Sequence, residues 1–136
     1  MRPYINSINI ESLKEEIVKS NGLSFEQLPV DVLRIALLIH KHYNWDGCTI
    51  EWLKDETRTD VTRRFKGVTG YRPKEYINIL RMELTRRLIQ DSKVTNLSQI
   101  AYASGFYDYT SFSKAVKNYF GKSPANLRNE LVKTDT

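Results

Sequence analysis

Apolar residues recur along this chain at the three- and four-residue spacing of amphipathic helices, whereas the alternation typical of strands is essentially absent. The pattern therefore predicts an all-α fold. Glycine and proline mark the breaks between segments: Gly70 follows one predicted helix and Pro73 stands in the first turn of the next. Helices are predicted over about residues 10–19, 32–42, 49–54, 59–68, 73–90 and 109–120, with a short helix from residue 97 to just before Gly105.

The first 30 residues are interpreted as an N-terminal helical extension. An acidic amphipathic helix is predicted over residues 10–19, and residues 23–30, which include Pro29, are typical of a linker. The next helix, over residues 32–42, carries enough apolar positions to be mostly buried. Its predicted inward positions are Val32, Ile35, Ala36, Leu37 and Ile39.

The chain also repeats itself at an offset of 51 residues. In each copy an amphipathic helix is followed by a glycine, which lets the chain leave the helix in the left-handed region, and then by a proline that starts another helix. We therefore predict two related subdomains joined by one long linker helix over about residues 73–90. The matched pairs are Val61 and Phe112, Phe65 and Val116, Lys66 and Lys117, Gly70 and Gly121, Pro73 and Pro124, and Tyr76 and Leu127.

The second copy has the features of a helix-turn-helix. Asn96 and Gln99 form a variant of the capping box at the start of a short helix. Gly105 can supply the positive φ that ends this helix, and Phe106 can anchor the turn in the core. Asp108 is a favourable N-cap for the helix that follows. The spacing thus predicts a capped helix, a tight turn and a second capped helix.

The second helix of this unit is predicted to turn Phe112, Ala115, Val116 and Tyr119 inward. Its outer face carries short hydrogen-bonding and cationic side chains, which suit the edges of bases in the DNA major groove. The predicted base contacts are Tyr109, Thr110, Ser111, Ser113 and Lys114, and Lys117 is predicted to contact phosphate.

The residues of this second copy resemble the signature of AraC/XylS-type transcription regulators. The resemblance covers about residues 32–128 and implies seven helices in two helix-turn-helix subdomains. It also implies binding to double-stranded promoter DNA and recruitment of RNA polymerase, which is common in that family. The matching residues are Ile100-Ala101-Tyr102-Ala103-Ser104-Gly105-Phe106, Asp108, Phe112-Ser113-Lys114, Val116-Lys117, Tyr119-Phe120-Gly121, Ser123-Pro124 and Arg128.

The resemblance divides the chain into the extension at residues 1–30 and a DNA-binding domain at residues 31–136. Within that domain the first helix-turn-helix is expected at about residues 49–70 and the second at about residues 97–120. Thirty residues are too few for the ligand-binding domain of larger family members, so the chain is interpreted either as a small standalone member or as the end of a longer protein.

The first unit fits the family pattern less well. Counting back from Phe65 without a gap puts Glu51 where a small residue is expected and Asp55 where the turn glycine belongs. Aligning Ile50 and Leu53 with the apolar face of the first helix instead shortens the turn by about three residues. Either alignment predicts an irregular motif.

Both charge signs occur in this first unit. The acidic residues Asp55, Glu56 and Asp60 oppose phosphate binding unless the basic residues dominate the surface. The predicted base contacts are Thr59, Thr62 and Arg63, and the predicted phosphate contacts are Arg58, Arg64 and Lys66.

A single chain can reach two successive major grooves, which lie about 34 Å apart on one face of a duplex. A connector of about 18 residues spans roughly 27 Å as a helix, and the thickness of the subdomains supplies the remainder. We therefore expect the protein to bind DNA as a monomer.

Composition and charge argue against several other classes of function. The formal net charge of +5 favours a polyanionic partner, and no apolar run is long enough for a membrane span, so a cytoplasmic location is expected. Cys48 is the only cysteine, and His40 and His42 are too poorly spaced on a helix to share a metal. No phosphate loop or catalytic triad is present, so we predict no enzyme activity, no metal site and no cofactor.

Two alternatives stay open at this stage. The same fold could serve as a protein-interaction module whose first motif no longer reads DNA, with the acidic N-terminal helix as its docking surface. Alternatively, tyrosines such as Tyr102, Tyr107, Tyr109 and Tyr119 could stack on single-stranded nucleic acid. Helical spacing favours packing in the core and turns for most of these rings.

Overall fold

The structure is a computed structural model, and it describes residues 4–5, 8–91 and 96–133. The order of elements is β1 (Tyr4–Ile5), β2 (Ile8–Asn9), α1 (Ile10–Asn21), α2 (Val30–His42), α3 (Ile50–Thr57), α4 (Val61–Thr69), α5 (Pro73–Gln90), α6 (Leu97–Ala103), α7 (Tyr109–Phe120) and α8 (Pro124–Lys133).

The predicted all-α fold with two helix-turn-helix units and a linker helix is confirmed. From residue 30 onward the described residues form seven helices, the number that the family resemblance implied. The linker helix α5 has the predicted bounds, because Pro73 starts it at a position that needs no backbone donor. One feature was not predicted: β1 and β2 form a minimal antiparallel pair in which Ile5 lies opposite Ile8.

The linker helix α5 is the centre of the molecule. It packs against α1 and α4 on one side and against α6, α7 and α8 on the other. Because neighbours surround it, apolar side chains occur almost all around the helix rather than along one stripe. Its buried residues are Pro73, Tyr76, Ile77, Leu80, Met82, Leu84, Thr85, Leu88 and Ile89.

Helix α1 is packed into the first subdomain. Ile10, Leu13 and Ile17 form its buried face, as the periodicity predicts. A salt bridge of 2.9 Å joins Glu16 to Arg87 of α5. The boundary expected at residue 30 stays a prediction, and the contacts across it are apolar as well as ionic.

One of the predicted core positions in helix α2 is wrong. Four of the five predicted inward residues are fully buried, but Leu37 is 49% exposed. The buried set follows an i, i+3, i+4, i+7 stripe that begins at Val32. Leu37 stands about 100° around the helix from Ala36, so it leaves that stripe.

No helix within the described residues is both long and apolar enough to cross a membrane.

Candidate nucleic-acid interface

Both helices of the second helix-turn-helix begin with the predicted side-chain caps. Asn96 accepts a hydrogen bond from the backbone N–H of Gln99 at 3.1 Å. Asp108 accepts one from the N–H of Ser111 at 2.7 Å. Hydrogen bonds from Ser111 lower the pKa of Asp108, so its carboxylate stays charged at the positive end of the α7 dipole. These caps fix where the second recognition helix, α7, starts.

The turn between α6 and α7 is pressed against the rest of the protein. Gly105 has φ +103°, and a β-carbon there would lie 2.8 Å from both Arg81 Nε and the Tyr43 carbonyl oxygen. Phe106 is buried and meets the ring of Phe112 edge-on at 5.6 Å. The predicted roles of glycine and phenylalanine in this turn are thus confirmed, and close approach adds a second reason for glycine.

Helix α7 buries Phe112 and Val116 completely and half-buries Ala115. Tyr119 was predicted to face inward and is instead 39% exposed. Its hydroxyl donates to Glu83 of α5 at 3.0 Å, so the long side chain crosses the edge of the helix pair rather than entering the core. The pKa of Tyr119 is raised by partial burial and by the Glu83 carboxylate.

The outer face of α7 has the exposure that the sequence predicts. Ser113 is half-buried, and the other candidate residues are exposed to solvent: Tyr109, Thr110, Ser111, Lys114 and Lys117. These residues occupy the first, second and third turns of one helix and lie opposite its buried stripe.

The first recognition helix, α4, is one turn shorter than α7. It has nine residues against twelve, because α4 starts at Val61 and α7 at Tyr109, whereas the capping glycines Gly70 and Gly121 keep the 51-residue offset. Asp60 accepts from the N–H of Arg63 at 3.3 Å and caps α4. The irregularity predicted for this unit is therefore a missing first turn of the recognition helix.

This geometry also decides between the two alignments of the first unit. Asp55 lies inside α3, so it cannot stand for the turn glycine and the ungapped alignment is wrong. Residues 58–60 form the turn, with Arg58 in the left-handed region at φ 56°. This turn is two residues shorter than the turn of the second unit, which comprises residues 104–108. The gapped alignment predicted a turn about three residues shorter.

Thr59 lies outside the recognition helix, where the predicted helix had included it. The N-cap at Asp60 starts α4 two residues later than predicted. The Thr59 hydroxyl donates to the carbonyl oxygen of Thr57 at 3.1 Å, and the side chain is half-buried. Thr59 therefore belongs to the turn.

The basic residues of the first unit differ in their surroundings. Arg63 has a side chain that is 76% exposed, and its Nε lies 3.2 Å from Asp60. Arg64 instead donates two hydrogen bonds, of 2.6 and 3.0 Å, to Asp31 of α2. This pairing lowers the pKa of Asp31. A phosphate would have to compete with the Asp31 carboxylate for Arg64.

The other candidate residues of this unit, Arg58, Thr62 and Lys66, are exposed. Asp55 and Glu56 are exposed as well, in the last turn of α3. The first unit thus presents a mixed-charge surface, as its composition predicts.

Polar contacts that the sequence did not reveal hold the second unit in place. Thr85 and Ser104 are both fully buried, and their hydroxyl oxygens are 2.9 Å apart. Thr85 donates to the Arg81 carbonyl, so Ser104 donates to Thr85. Asn44 donates to the carbonyl oxygen of Ala103 at 3.3 Å and joins the end of α2 to α6. No local pattern signals such pairs, because their partners are far apart in sequence.

Several tyrosines contradict the expectation of packing in the core and turns. Tyr102 is 62% and Tyr107 is 79% exposed, and Tyr109 and Tyr119 are each 39% exposed. Tyr43 and Tyr76, in contrast, are fully buried.

A family profile described as a helix-turn-helix domain matches residues 57–130, which is more than half of the chain. The chain belongs to the AraC-type helix-turn-helix family. Membership confirms the family resemblance that the second unit indicated.

The relatives agree with this assignment. The Msm operon regulatory protein of Streptococcus mutans is 39% identical over 93% of this chain and 50% of its own length. The transcriptional activator RhaS of Escherichia coli is 35% identical over 62% of this chain and 30% of its own length. This chain therefore spans half or less of the length of these two regulators.

A solved structure shares the fold. The C-terminal domain of AraT, a response regulator from Geobacillus stearothermophilus, is 26% identical and superposes with a TM-score of 0.70. The superposition covers 77% of this chain and 88% of that domain.

Proposed function

We propose that this AraC-type protein is a sequence-specific regulator of transcription that places α7 in a major groove of double-stranded promoter DNA. The observation that carries the proposal is the outer face of α7, where capped helical geometry presents exposed Tyr109, Thr110, Ser111 and Lys114, with Ser113 half-buried beside them. Hydroxyl and ammonium groups on one helical face can donate to base edges, and Lys117 can neutralise a phosphate.

The first unit is proposed to bind the adjacent major groove through α4. Thr62 and Arg63 are its exposed candidates for base contact, and Arg58 and Lys66 for phosphate contact. Because α4 lacks the turn that carries Tyr109 and Thr110 in α7, we expect fewer base contacts from this unit. Thr59 and Arg64 would contribute only after giving up their contacts with Thr57 and Asp31.

Because one chain carries both recognition helices, a monomer is the proposed DNA-bound form. The 18-residue helix α5 separates the two units, which suits adjacent grooves about 34 Å apart. RNA polymerase is the proposed protein partner at the promoter.

The test begins by selecting bound duplexes from a random pool and measuring affinity for selected and random duplexes at several salt concentrations. We expect a selected site with two half-sites about one helical turn apart. If the units neutralise about six phosphates together, the logarithm of the association constant falls with the logarithm of salt with a slope near −5. Equal affinity for selected and random duplexes would contradict the proposal.

A specific observation favours a second candidate function for the first unit. Its recognition helix is short, and the exposed carboxylate of Asp60 stands at the N-terminal end that would approach DNA. The unit could therefore serve as a protein-interaction surface while α7 alone reads DNA. Arg63→Ala separates the two functions: loss of preference at one half-site supports DNA reading, and an unchanged selected sequence supports the interaction surface.

A further inference from the structure

An aromatic cleft of about 740 Å³ opens between the two helix-turn-helix units. One wall comes from the α2–α3 loop and α3, with Trp45 and Trp52, and the other from α6 and its turn, with Tyr102 and Tyr107. A volume of this size lies in the usual range for small-molecule sites, which often form at such junctions.

The rings of the cleft form a corner rather than a flat stack. Trp45 and Trp52 meet at 5.0 Å with an interplanar angle of 87°, and His42 meets Trp52 at 5.1 Å and 79°. Gly47 permits this arrangement, because a β-carbon there would lie 2.2 Å from the Trp45 ring. The opposite wall is open, since Tyr107 is 79% exposed.

Two polar groups of the cleft are hydrogen-bond acceptors, whereas its indole N–H groups are donors. Asn44 is 4% exposed, and its side-chain oxygen is buried without a hydrogen-bond partner among the described residues. Asp46 is exposed, and within the described part of the chain its carboxylate takes part in no ion pair. A buried acceptor without a donor is costly, which favours a ligand that carries a hydrogen-bond donor such as a hydroxyl group.

The charges around the cleft also fit a cation. None of the described lining residues is Lys or Arg. Burial lowers the pKa of His42, and nearby Lys41 and Lys14 lower it further, so this ring adds no positive charge at neutral pH.

Arg81 approaches the cleft from behind, where it donates to the carbonyl oxygens of Tyr43 and Trp45 and lies 5.4 Å from the Phe106 ring. Its charge is close to that of Asp46, so the aromatic faces must supply most of the attraction.

We propose that this cleft binds a small organic cation of the quaternary ammonium type that also carries a hydroxyl group, between the two helix-turn-helix units. Perpendicular aromatic rings with one carboxylate form the kind of box that such weakly hydrated cations occupy. The ligand would touch Trp45 and Trp52 of one unit and Tyr102 and Tyr107 of the other. The inference does not depend on the proposed DNA contacts.

Tryptophan fluorescence provides a site-specific readout, because Trp45 and Trp52 are the two tryptophans of the whole chain and both line the cleft. Choline and 3,3-dimethyl-1-butanol are a matched pair of probes, since they have nearly the same shape and differ in the charged nitrogen. Each is titrated at constant ionic strength into the 136-residue protein. We expect choline to change the emission saturably, and the neutral alcohol to bind at least about 10-fold more weakly.

Two variants test the walls of the site. Tyr107→Leu should weaken choline binding about 5-fold by removing an aromatic face, and Asp46→Asn about 3-fold by removing the carboxylate. Both residues are exposed, so neither change disturbs the core. Asp55→Asn removes an exposed carboxylate of α3 outside the lining and should leave binding unchanged.

Three results would overturn the proposal. The first is the absence of a saturable change up to 100 mM choline, on the order of the weakest affinity a useful site would have. The second is equal binding of choline and the neutral alcohol. The third is unchanged choline affinity in both cleft variants. Tighter binding of glucose than of choline would show that the cleft selects neutral polyhydroxyl ligands instead.

Discussion

Gly105 in the turn of the second helix-turn-helix lies so close to Arg81 of the linker helix that a β-carbon on residue 105 would stand 2.8 Å from Arg81 Nε. The same guanidinium donates to the Tyr43 carbonyl at 2.7 Å, at the end of α2. One arginine therefore fixes the turn that precedes α7 relative to both subdomains. Gly105 is needed for its backbone conformation and also for the space it leaves.

Replacing Gly105 with alanine should destabilise the protein by about 2–4 kcal/mol, because a positive φ costs an L-residue roughly 1–2 kcal/mol and the overlap with Arg81 and with the backbone of Tyr43 and Asn44 adds a similar amount. Gly121→Ala is the matched control: Gly121 has φ +77° and nothing within 4 Å of the added carbon, so about 1–2 kcal/mol of backbone strain is expected. Urea unfolding of the two variants measures the difference. Equal losses would show that Arg81 and the backbone of Tyr43 and Asn44 all move aside freely.

Lys114 and Lys117 are expected to have different roles on α7. Lys114→Ala should reduce affinity for the selected duplex about 10-fold and for random duplex less than about 2-fold, because a base contact carries sequence information. Lys117→Ala should weaken both about equally and reduce the salt slope by about 1, as loss of a phosphate contact does. Each lysine serves as the control for the other in the same titration. A uniform loss from Lys114→Ala would remove it from the base-contacting set.

Breaking the ion pair between Asp31 and Arg64 should strengthen DNA binding rather than weaken it. Asp31→Asn frees a guanidinium on the first recognition helix, so affinity for random duplex should rise about 2–3-fold and the salt slope should steepen by up to about 1. In an Arg64→Ala background the same change should have a smaller effect. Identical effects in the two backgrounds would mean that Arg64 cannot reach the DNA.

Stability should depend on pH through His40. Burial lowers the pKa of His40 to about 4, from about 6.5 in the unfolded chain. The unfolded state therefore binds the proton more readily. The free energy of unfolding should have its full value above pH 6.5 and decrease as the pH drops toward 4.

A hydrogen-bond chain links His40 to Tyr76 and Leu23. The N–H of Leu23 donates to the Tyr76 hydroxyl at 2.8 Å, and that hydroxyl lies 2.5 Å from His40 Nε2. When the neutral ring carries its proton on Nδ1, Nε2 accepts a hydrogen bond from the Tyr76 hydroxyl. His40→Gln should make the acidic loss of stability shallower, as denaturant unfolding between pH 7 and pH 4 would measure. His42, whose pKa is also lowered by burial, contributes with the same sign in both proteins. An unchanged slope would assign the acidic loss to other groups.

Local signals in the sequence predicted much of the candidate interface. The caps at Asn96 and Asp108 form as expected, because each depends on a hydrogen bond between residues three apart. The 51-residue repeat and the buried stripe of α7 likewise follow from short-range periodicity. The relatives confirm the family that these signals indicated.

The incorrect predictions concern residues whose position the spacing of apolar and capping residues does not decide. Leu37 is apolar yet exposed, because no element of the described residues covers that side of α2. Tyr119 is drawn toward Glu83 of α5, a partner 36 residues away. The start of α4 was misplaced because two capping residues competed, and Asp60 caps the helix while Thr59 bonds back to Thr57.

The sequence by itself determined the helices, their caps, the repeat and the family, because each rests on residues within one turn or on a pattern along one chain. Tertiary structure alone decided that Arg64 is paired with Asp31, that Gly105 rests on Arg81 and that two tryptophans and two tyrosines meet in one cleft. Those contacts join elements that are far apart in sequence, and only the packing of the helices against one another brings them together.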